Sequence, residues 1–217
     1  MVAALAQLDA RGMNRGSTGN LSHRAGDGQG CWITPTGMGA ADTGADDLVW
    51  LALDGGTAQR RANRWKPSSE APFHLALYAA RPDLHAVVHC HSVHATALAC
   101  LRRALPPFHY MVAVAGGDSV PCVPYHLFGS EALSRAVAAA MHERDACLLS
   151  NHGLVAAGRT LAQAMKVALE VESLCEVYLK ALAVGEPALL DAAQMAEVAA
   201  RFRGYGQAAT APRVGEG

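Results

Sequence analysis

The stretch that decides the fold is AVVHCH, residues 86–91. Its short apolar run leads into two histidines separated by one residue, which is a strand pattern. Residues i and i+2 of a strand point to the same face, so His89 and His91 can reach one ion while Cys90 points away. Two histidines at this spacing also occur on strands by chance. For the pair alone, a chance occurrence and a metal site are equally good interpretations.

Two residues elsewhere in the chain strengthen the metal interpretation. His152 lies at a predicted strand end, in Asn151-His152-Gly153. Glu70 lies in the first turn of a predicted helix, where the helix dipole favours a carboxylate. Three imidazoles and one carboxylate suit Zn²⁺ if the carboxylate can leave to open a position. The sequence therefore predicts one Zn²⁺ per chain, and the other seven histidines are interpreted as surface or core residues.

Strand and helix patterns alternate irregularly on both sides of residues 86–91. Helices are predicted at 1–15 (ending near residue 12), 67–80 with Ser68 as N-cap, 92–100, 131–144, 161–183 and 191–202. Strands are predicted at 21–24, 31–34, 48–53, 86–91, 111–114, 120–123, 146–149 and 154–157. The pattern favours a single α/β domain over residues 1–207, with a central, mostly antiparallel or mixed sheet, and a flexible tail at 208–217.

Turns of small residues form a second group. Residues 16–20, Thr36-Gly37 and Ser68-Ser69 offer backbone N–H groups and hydroxyls that could cradle a phosphate without lysine. Taken singly, such segments are usually only turns. The chain has just three lysines, none placed for a Schiff base, so carbon–carbon chemistry would need a metal as electron sink.

Composition excludes several classes of protein. The chain has 217 residues, 51% of them hydrophobic, with 18 basic and 19 acidic side chains. This near-neutral charge argues against a nucleic-acid or membrane-surface partner. No apolar stretch is long enough to span a membrane, and the first residues lack a signal-peptide pattern. Six cysteines without a C-x-x-C pair indicate reduced thiols, most of them buried, and we expect a cytoplasmic protein.

Seven motifs, taken together and in order, resemble the class II aldolase/adducin family. They are GSTGNLS (16–22), ITPTGM (33–38), KPSSEAPFHLALYAARPD (66–83), AVVHCHSVHATAL (86–98), HYMVAVAGGDSVPCVPY (109–125), LLSNHGL (148–154) and RFRGYG (201–206). Each motif is weak alone, but the combination is specific and extends from about residue 11 to residue 206. The resemblance implies a nine-stranded sheet flanked by helices, and a C4 homotetramer with active sites at the subunit interfaces.

The resemblance also implies residue roles. His89, His91 and His152 would hold zinc, and Glu70 would complete the empty site and then act as acid/base. Tyr110 would help polarise or protonate the aldehyde, and Tyr205 would be the second catalytic tyrosine. The implied phosphate cradle consists of Ser17, Gly19, Asn20, Thr36, Gly37, Ser68 and Ser69. The aldehyde end would be shaped by Phe128, Phe202 and Tyr205.

The implied activity is a zinc-dependent sugar-phosphate aldolase. Such an enzyme reversibly cleaves a ketose 1-phosphate into dihydroxyacetone phosphate and an aldehyde through a metal-stabilised enediolate. Three alternatives use the same fold: a 3-oxo-tetronate 4-phosphate decarboxylase, a pentulose-phosphate 4-epimerase and a thiosugar-phosphate dehydratase. The epimerase pattern carries an extra acidic residue where this chain offers only Asp118, and the two tyrosines favour the aldolase. A non-catalytic adducin-like module is disfavoured because all four metal-site residues are present.

Overall fold

A computed structural model describes residues 1–53 and 64–203 of the chain. Its centre is a seven-stranded sheet of order β3-β2-β1-β4-β7-β6-β5. The strands are β1 (Asn20–Arg24), β2 (Gly30–Ile33), β3 (Val49–Ala52), β4 (Ala86–Cys90), β5 (Cys122–Val123), β6 (Ala146–Leu149) and β7 (Gly153–Gly158). All neighbouring pairs are antiparallel except β5 and β6, so the predicted mostly antiparallel sheet is confirmed.

The described chain has seven strands, so the expectation of nine is wrong. Residues 111–114, predicted as a strand, lie in a 3₁₀ helix, Tyr110–Ala115. His109 caps the start of this helix by accepting a hydrogen bond from the Met111 N–H through Nδ1, and Gly116 ends it in the left-handed region at φ 85°. Of the predicted strand at 120–123, only Cys122–Val123 joins the sheet.

Helices cover both faces of the sheet. They are α1 (Val2–Ala10), α2 (Ala71–Ala80), α3 (Val93–Cys100), α4 (Glu131–Ala140), α5 (Leu161–Leu182) and α6 (Ala192–Arg203), with a further 3₁₀ turn at Ala45–Asp47. Apolar side chains of α3 and α5 pack on one face of the sheet, and those of α2 and α4 pack on the other. Within the described ranges, no helix is long and apolar enough to cross a membrane.

Strand alternation separates neighbouring residues of β4 between the two cores. Val88 and Cys90 belong to the core under α5, while Val87 belongs to the core under α2. His89, on the same side as Val87, is fully buried and packs edge-on against Phe73 of α2, with ring centroids 5.5 Å apart. Cys90 therefore points away from His89, as the strand pattern predicts.

The start of α2 differs from the prediction. The helix begins at Ala71, with Glu70 as its N-cap residue, and no side chain caps it. Ser68, predicted as the N-cap, instead accepts a hydrogen bond from the Glu70 N–H at 3.2 Å through its hydroxyl. The reason is that Pro72 occupies the first turn, so the helical geometry starts after Glu70 and leaves Ser68 in the preceding turn. This arrangement fixes the backbone of Glu70 at the sheet end.

Candidate active site

Four side chains from separate segments converge at one end of the sheet. Glu70 Oε2 lies 3.0 Å from His89 Nε2, and Glu70 Oε1 lies 3.2 Å from His152 Nε2. His89 Nε2 lies 3.0 Å from His91 Nε2. One ligand atom from each residue falls within 4.8 Å of the others, so the four predicted metal-site residues do form one group.

Strand register explains this convergence. β4 carries His89 near its end and is followed directly by His91. β1 runs antiparallel to β4 and starts with Asn20 opposite His89, and β7 starts beside Cys90, so the turn before β7 delivers His152 to the same end. Asn151 makes that turn with a φ of 57°, a left-handed conformation that asparagine tolerates.

The donor set suits a divalent cation. His89 Nδ1 lies 3.0 Å from the Leu154 carbonyl, which can only accept, so Nδ1 carries a proton and Nε2 is the ring nitrogen that faces Glu70 and His91. Glu70 Oε1 is buried and has no hydrogen-bond partner in the described structure. Ligands of a tetrahedral Zn²⁺ stand about 3.3 Å apart, close to the separations seen here. The residues present therefore fit the predicted metal.

The electrostatics of the group also match a cation site. Burial would raise the pKa of Glu70, but the electrostatic attraction of the His89 and His152 rings and the hydrogen bonds from His89 and Asn20 outweigh it and lower the pKa to about 2. Burial, with the charge of His89, lowers the pKa of His91 and of His152 to about 4. At neutral pH the carboxylate is therefore ionised and these two rings are neutral, which is the state that binds metal.

A cavity of about 300 Å³ opens directly onto the group formed by Glu70 and the three histidines. Glu70, His91 and His152 line it, and His89 is fully buried behind them. All seven predicted cradle residues line the same cavity: Ser17, Gly19, Asn20, Thr36, Gly37, Ser68 and Ser69. Three separate turns therefore meet in space, although the sequence left each of them open as an ordinary turn.

Only some of the residues predicted for the aldehyde end lie at the cavity. Phe128 lines the cavity and is largely exposed. Tyr110 and Phe202 do not line it; they contact each other, with ring centroids 6.5 Å apart. Tyr205 and the predicted tail at 208–217 lie outside the described residues.

Four residues that line the cavity, Thr18, Pro35, Tyr125 and Asn151, are not among the predicted site residues, and Tyr125 and Asn151 lie outside the predicted turns. The signal for Asn151 was its place before His152 in a tight turn, and Tyr125 follows Pro124 shortly after a strand. Neither carries a recognisable pattern by itself, because only the fold brings residue 125 to the turn that holds residue 151.

The fold and the site define the class of protein, an α/β domain that presents a divalent-metal site beside a polar cavity. A sequence profile described as "Class II Aldolase and Adducin N-terminal domain" matches residues 1–179. The chain belongs to this family. It is accordingly an enzyme of the metal-dependent lyase type.

Individual relatives agree with the family. The chain is 47% identical over 212 residues to a 5-methylthioribulose-1-phosphate/5-deoxyribulose-1-phosphate aldolase of Rhodospirillum rubrum, covering 98% of this chain and 93% of the relative. It is 43% identical over 201 residues to the L-fuculose phosphate aldolase of Escherichia coli, covering 92% and 91%. A solved L-fuculose 1-phosphate aldolase superposes with a TM-score of 0.88 at 35% identity, covering 93% of each chain.

Proposed function

We propose that the protein is a zinc-dependent class II aldolase, similar to L-fuculose-1-phosphate aldolase. It would reversibly cleave a ketose 1-phosphate into dihydroxyacetone phosphate and an aldehyde. The observation that carries this proposal is the shared cavity, in which the three-histidine, one-glutamate group faces turns rich in hydroxyl and backbone N–H groups. A metal and an anion cradle at this spacing suit a small phosphorylated ketose.

His89, His91, His152 and Glu70 would hold the zinc ion. When bound, the ion supplies Lewis-acid chemistry, polarising the substrate carbonyl and offsetting negative charge on its oxygens. Glu70 lines the cavity and is ionised, so its carboxylate can take a proton from the donor carbon and return it. Its two oxygens face different histidines, which lets the carboxylate exchange a metal contact for a substrate contact.

Neutral groups would hold the phosphate. The backbone at Gly19 and Gly37 has φ values of 75° and 69°, a conformation that glycine adopts without strain and that turns peptide N–H groups toward a cavity. The hydroxyls of Ser17, Thr36 and Ser68 add further donors. No lysine or arginine of the described chain lines the cavity, so hydrogen bonds rather than charge would set the orientation of the phosphate.

A neighbouring subunit would complete the site. Tyr110 is half exposed and lies with Phe202 away from the cavity of its own chain. In a C4 tetramer with interface sites, Tyr110 of one subunit would meet the cavity of the next and polarise or protonate the aldehyde there. Phe128, Phe202 and Tyr205 would shape the aldehyde end of the assembled site.

The relative from Rhodospirillum rubrum favours a second candidate substrate. Its name specifies ribulose 1-phosphates with a methylthio or deoxy group at carbon 5, and it is 47% identical to this chain. Exposed Tyr125 and Phe128 on the cavity wall offer apolar surface to such an end. The reaction is the same aldol cleavage, with a less polar aldehyde product.

A substrate panel tests the proposal. Zinc-loaded protein is incubated with L-fuculose 1-phosphate, 5-deoxyribulose 1-phosphate, 5-methylthioribulose 1-phosphate and a 3-oxo-tetronate 4-phosphate, and dihydroxyacetone phosphate and CO₂ are assayed. We expect dihydroxyacetone phosphate from at least one ketose 1-phosphate, and a loss of about 10²–10⁴-fold in Glu70→Gln. The control is His142→Asn, at an exposed position outside the cavity. CO₂ release alone, or turnover by the metal-free protein, would exclude the aldolase.

A further inference from the structure

A chain of buried polar side chains runs from the cavity into the protein behind Glu70. Asn20 Nδ2 donates to Glu70 Oε2 at 3.1 Å, and Asn20 Oδ1 lies 2.6 Å from His74 Nε2. His74 Nδ1 lies 2.7 Å from Ser22 Oγ, which lies 2.8 Å from Tyr78 OH. Each of the four side chains behind Glu70 is at most 4% exposed. The chain is thus a closed polar network within a core.

The chemistry of the Glu70 end gives this network its direction. The ionised Glu70 carboxylate only accepts, so Asn20 must turn its NH₂ group toward it. The Asn20 carbonyl oxygen then only accepts, and His74 Nε2 must carry a proton. Burial, with the charge of His89, lowers the pKa of His74 to about 3 and keeps the ring neutral. Nδ1 therefore accepts from Ser22.

The residue spacing along a helix and along a strand brings the members of the network together. Glu70, His74 and Tyr78 are spaced four apart along α2 and its first turn, so they share one face of the helix. Asn20 and Ser22 are spaced two apart on β1 and share one face of that strand. The helix face lies over the strand face, which aligns the acceptors and donors in alternation.

We infer that His74 is a positioning residue for the aldolase reaction: by donating from Nε2, it fixes the Asn20 amide with its NH₂ group toward Glu70. This inference rests on the proposed function, because Glu70 acts there as metal ligand and base. Without the His74 donor, the buried carbonyl oxygen of Asn20 loses its hydrogen-bond partner, so the amide is no longer held in the position from which its NH₂ group donates to Glu70. Glu70 would then leave the orientation that faces His89 and His152.

Two substitutions at one position separate positioning from packing. His74→Gln places an amide nitrogen near the former Nε2 and keeps a donor to Asn20. His74→Asn reaches only the former Nδ1, so it keeps the contact to Ser22 and loses the donor. Both exchange an imidazole for an amide in the same core. A packing role would therefore affect both variants, whereas a positioning role separates them.

The variants are compared by three measurements. These are kcat and KM with the ketose phosphate that wild type cleaves, solvent deuterium exchange at the donor carbon of dihydroxyacetone phosphate, and the rate of zinc loss to a chelator. We expect His74→Asn to lower kcat and exchange about 10–100-fold and to speed zinc loss, and His74→Gln to stay within about threefold of wild type in each. KM should change little, and the exposed control His142→Asn should match wild type.

Equal losses in His74→Gln and His74→Asn, or wild-type behaviour of both, would overturn the inference. If His74→Asn does not fold, Ser22→Ala replaces it, since removing the hydroxyl takes away the hydrogen bond at Nδ1 that holds the His74 ring in the position from which it donates to Asn20. We then expect a several-fold faster zinc loss, and an unchanged rate would count against the inference. If wild type neither cleaves the panel nor exchanges the donor proton, the proposed function fails. The zinc-loss comparison still decides the role of His74.

Discussion

Gly153, directly after His152, packs closely against the end of β4 beside the candidate metal site. A Cβ atom at this position would lie 2.5 Å from the Cys90 carbonyl oxygen and 3.0 Å from His91 Cδ2. The Gly153→Ala substitution therefore pushes on the end of β4, which carries His89 and is followed directly by His91. It tests whether the site depends on this close approach without removing any ligand.

The size of the effect follows from these distances. An ordinary carbon–oxygen contact is about 3.3 Å, so relief of the clash requires a shift of about 0.8 Å. Metal ligation tolerates deviations of about 0.2 Å, and a misplacement of about 1 Å costs on the order of 100-fold in rate. Overpacking of this kind costs about 1–3 kcal/mol of stability. We expect Gly153→Ala to fold, to bind zinc substoichiometrically and to lose about two orders of magnitude in kcat/KM.

A second glycine of the same strand supplies the control. Gly158→Ala would place a Cβ 2.7 Å from the Ala164 backbone nitrogen, a comparable clash. It lies at the other end of β7, about 17 Å from Gly153 along the strand. Zinc content by mass spectrometry, urea denaturation and turnover are measured for both variants. A similar loss of stability in both, with zinc lost only in Gly153→Ala, is expected. Full zinc occupancy and turnover in Gly153→Ala would refute the reasoning.

Three further predictions concern pH, the core and the cradle. The lowered pKa values of His91 and His152, about 4, mean that below pH 6.5 the unfolded chain binds protons that the folded chain does not. Metal-free protein should therefore lose on the order of 2 kcal/mol per ring between pH 7 and pH 5, measured by urea denaturation, and a flat profile would contradict this. Leu77→Ala, at a fully buried position under the sheet, should lower the free energy of unfolding by about 2–5 kcal/mol in the same assay. A smaller loss would indicate that neighbouring side chains fill the space left by the leucine. Gly19→Ala would place a side chain on a backbone with a φ of 75° and a Cβ atom 2.3 Å from the Asn14 side chain. KM for a phosphorylated ketose should therefore rise about tenfold or more, with the zinc content unchanged. An unchanged KM would show that residue 19 does not belong to the phosphate cradle.

The metal group was predictable from the sequence because its ligands follow local rules. The i, i+2 spacing of His89 and His91 predicts that both lie on one face of a strand, and in the structure His91 directly follows the end of β4. His152 and Glu70 were found by their positions at a strand end and a helix start, which are places that orient side chains without long-range information. The mostly antiparallel sheet could also be predicted, since the irregular alternation of strands and helices disfavoured a doubly wound parallel fold.

The parts that the sequence did not predict depend on tertiary contacts. Residues 111–114 are apolar enough for a strand, yet His109 caps them as a 3₁₀ helix and Gly116 ends it in a left-handed conformation. Tyr110 and Phe202 lie away from the cavity because this 3₁₀ helix packs against α6. His74 was interpreted as an ordinary core or surface residue, because its partners Asn20 and Ser22 lie more than fifty positions away.

The four proposed metal ligands differ in how rigidly the fold holds them, and this difference bears on their proposed roles. His89 is fixed by strand pairing and by its contact to the Leu154 carbonyl, and His91 follows it directly. Glu70 instead lies outside the strands, at a helix start without a side-chain cap, and one of its oxygens has no hydrogen-bond partner in the described structure. In the proposed mechanism the imidazoles therefore suit permanent ligation, and the carboxylate is the group suited to leave the metal. Its retained hydrogen bond to Asn20 would then guide it back to the same place after each proton transfer.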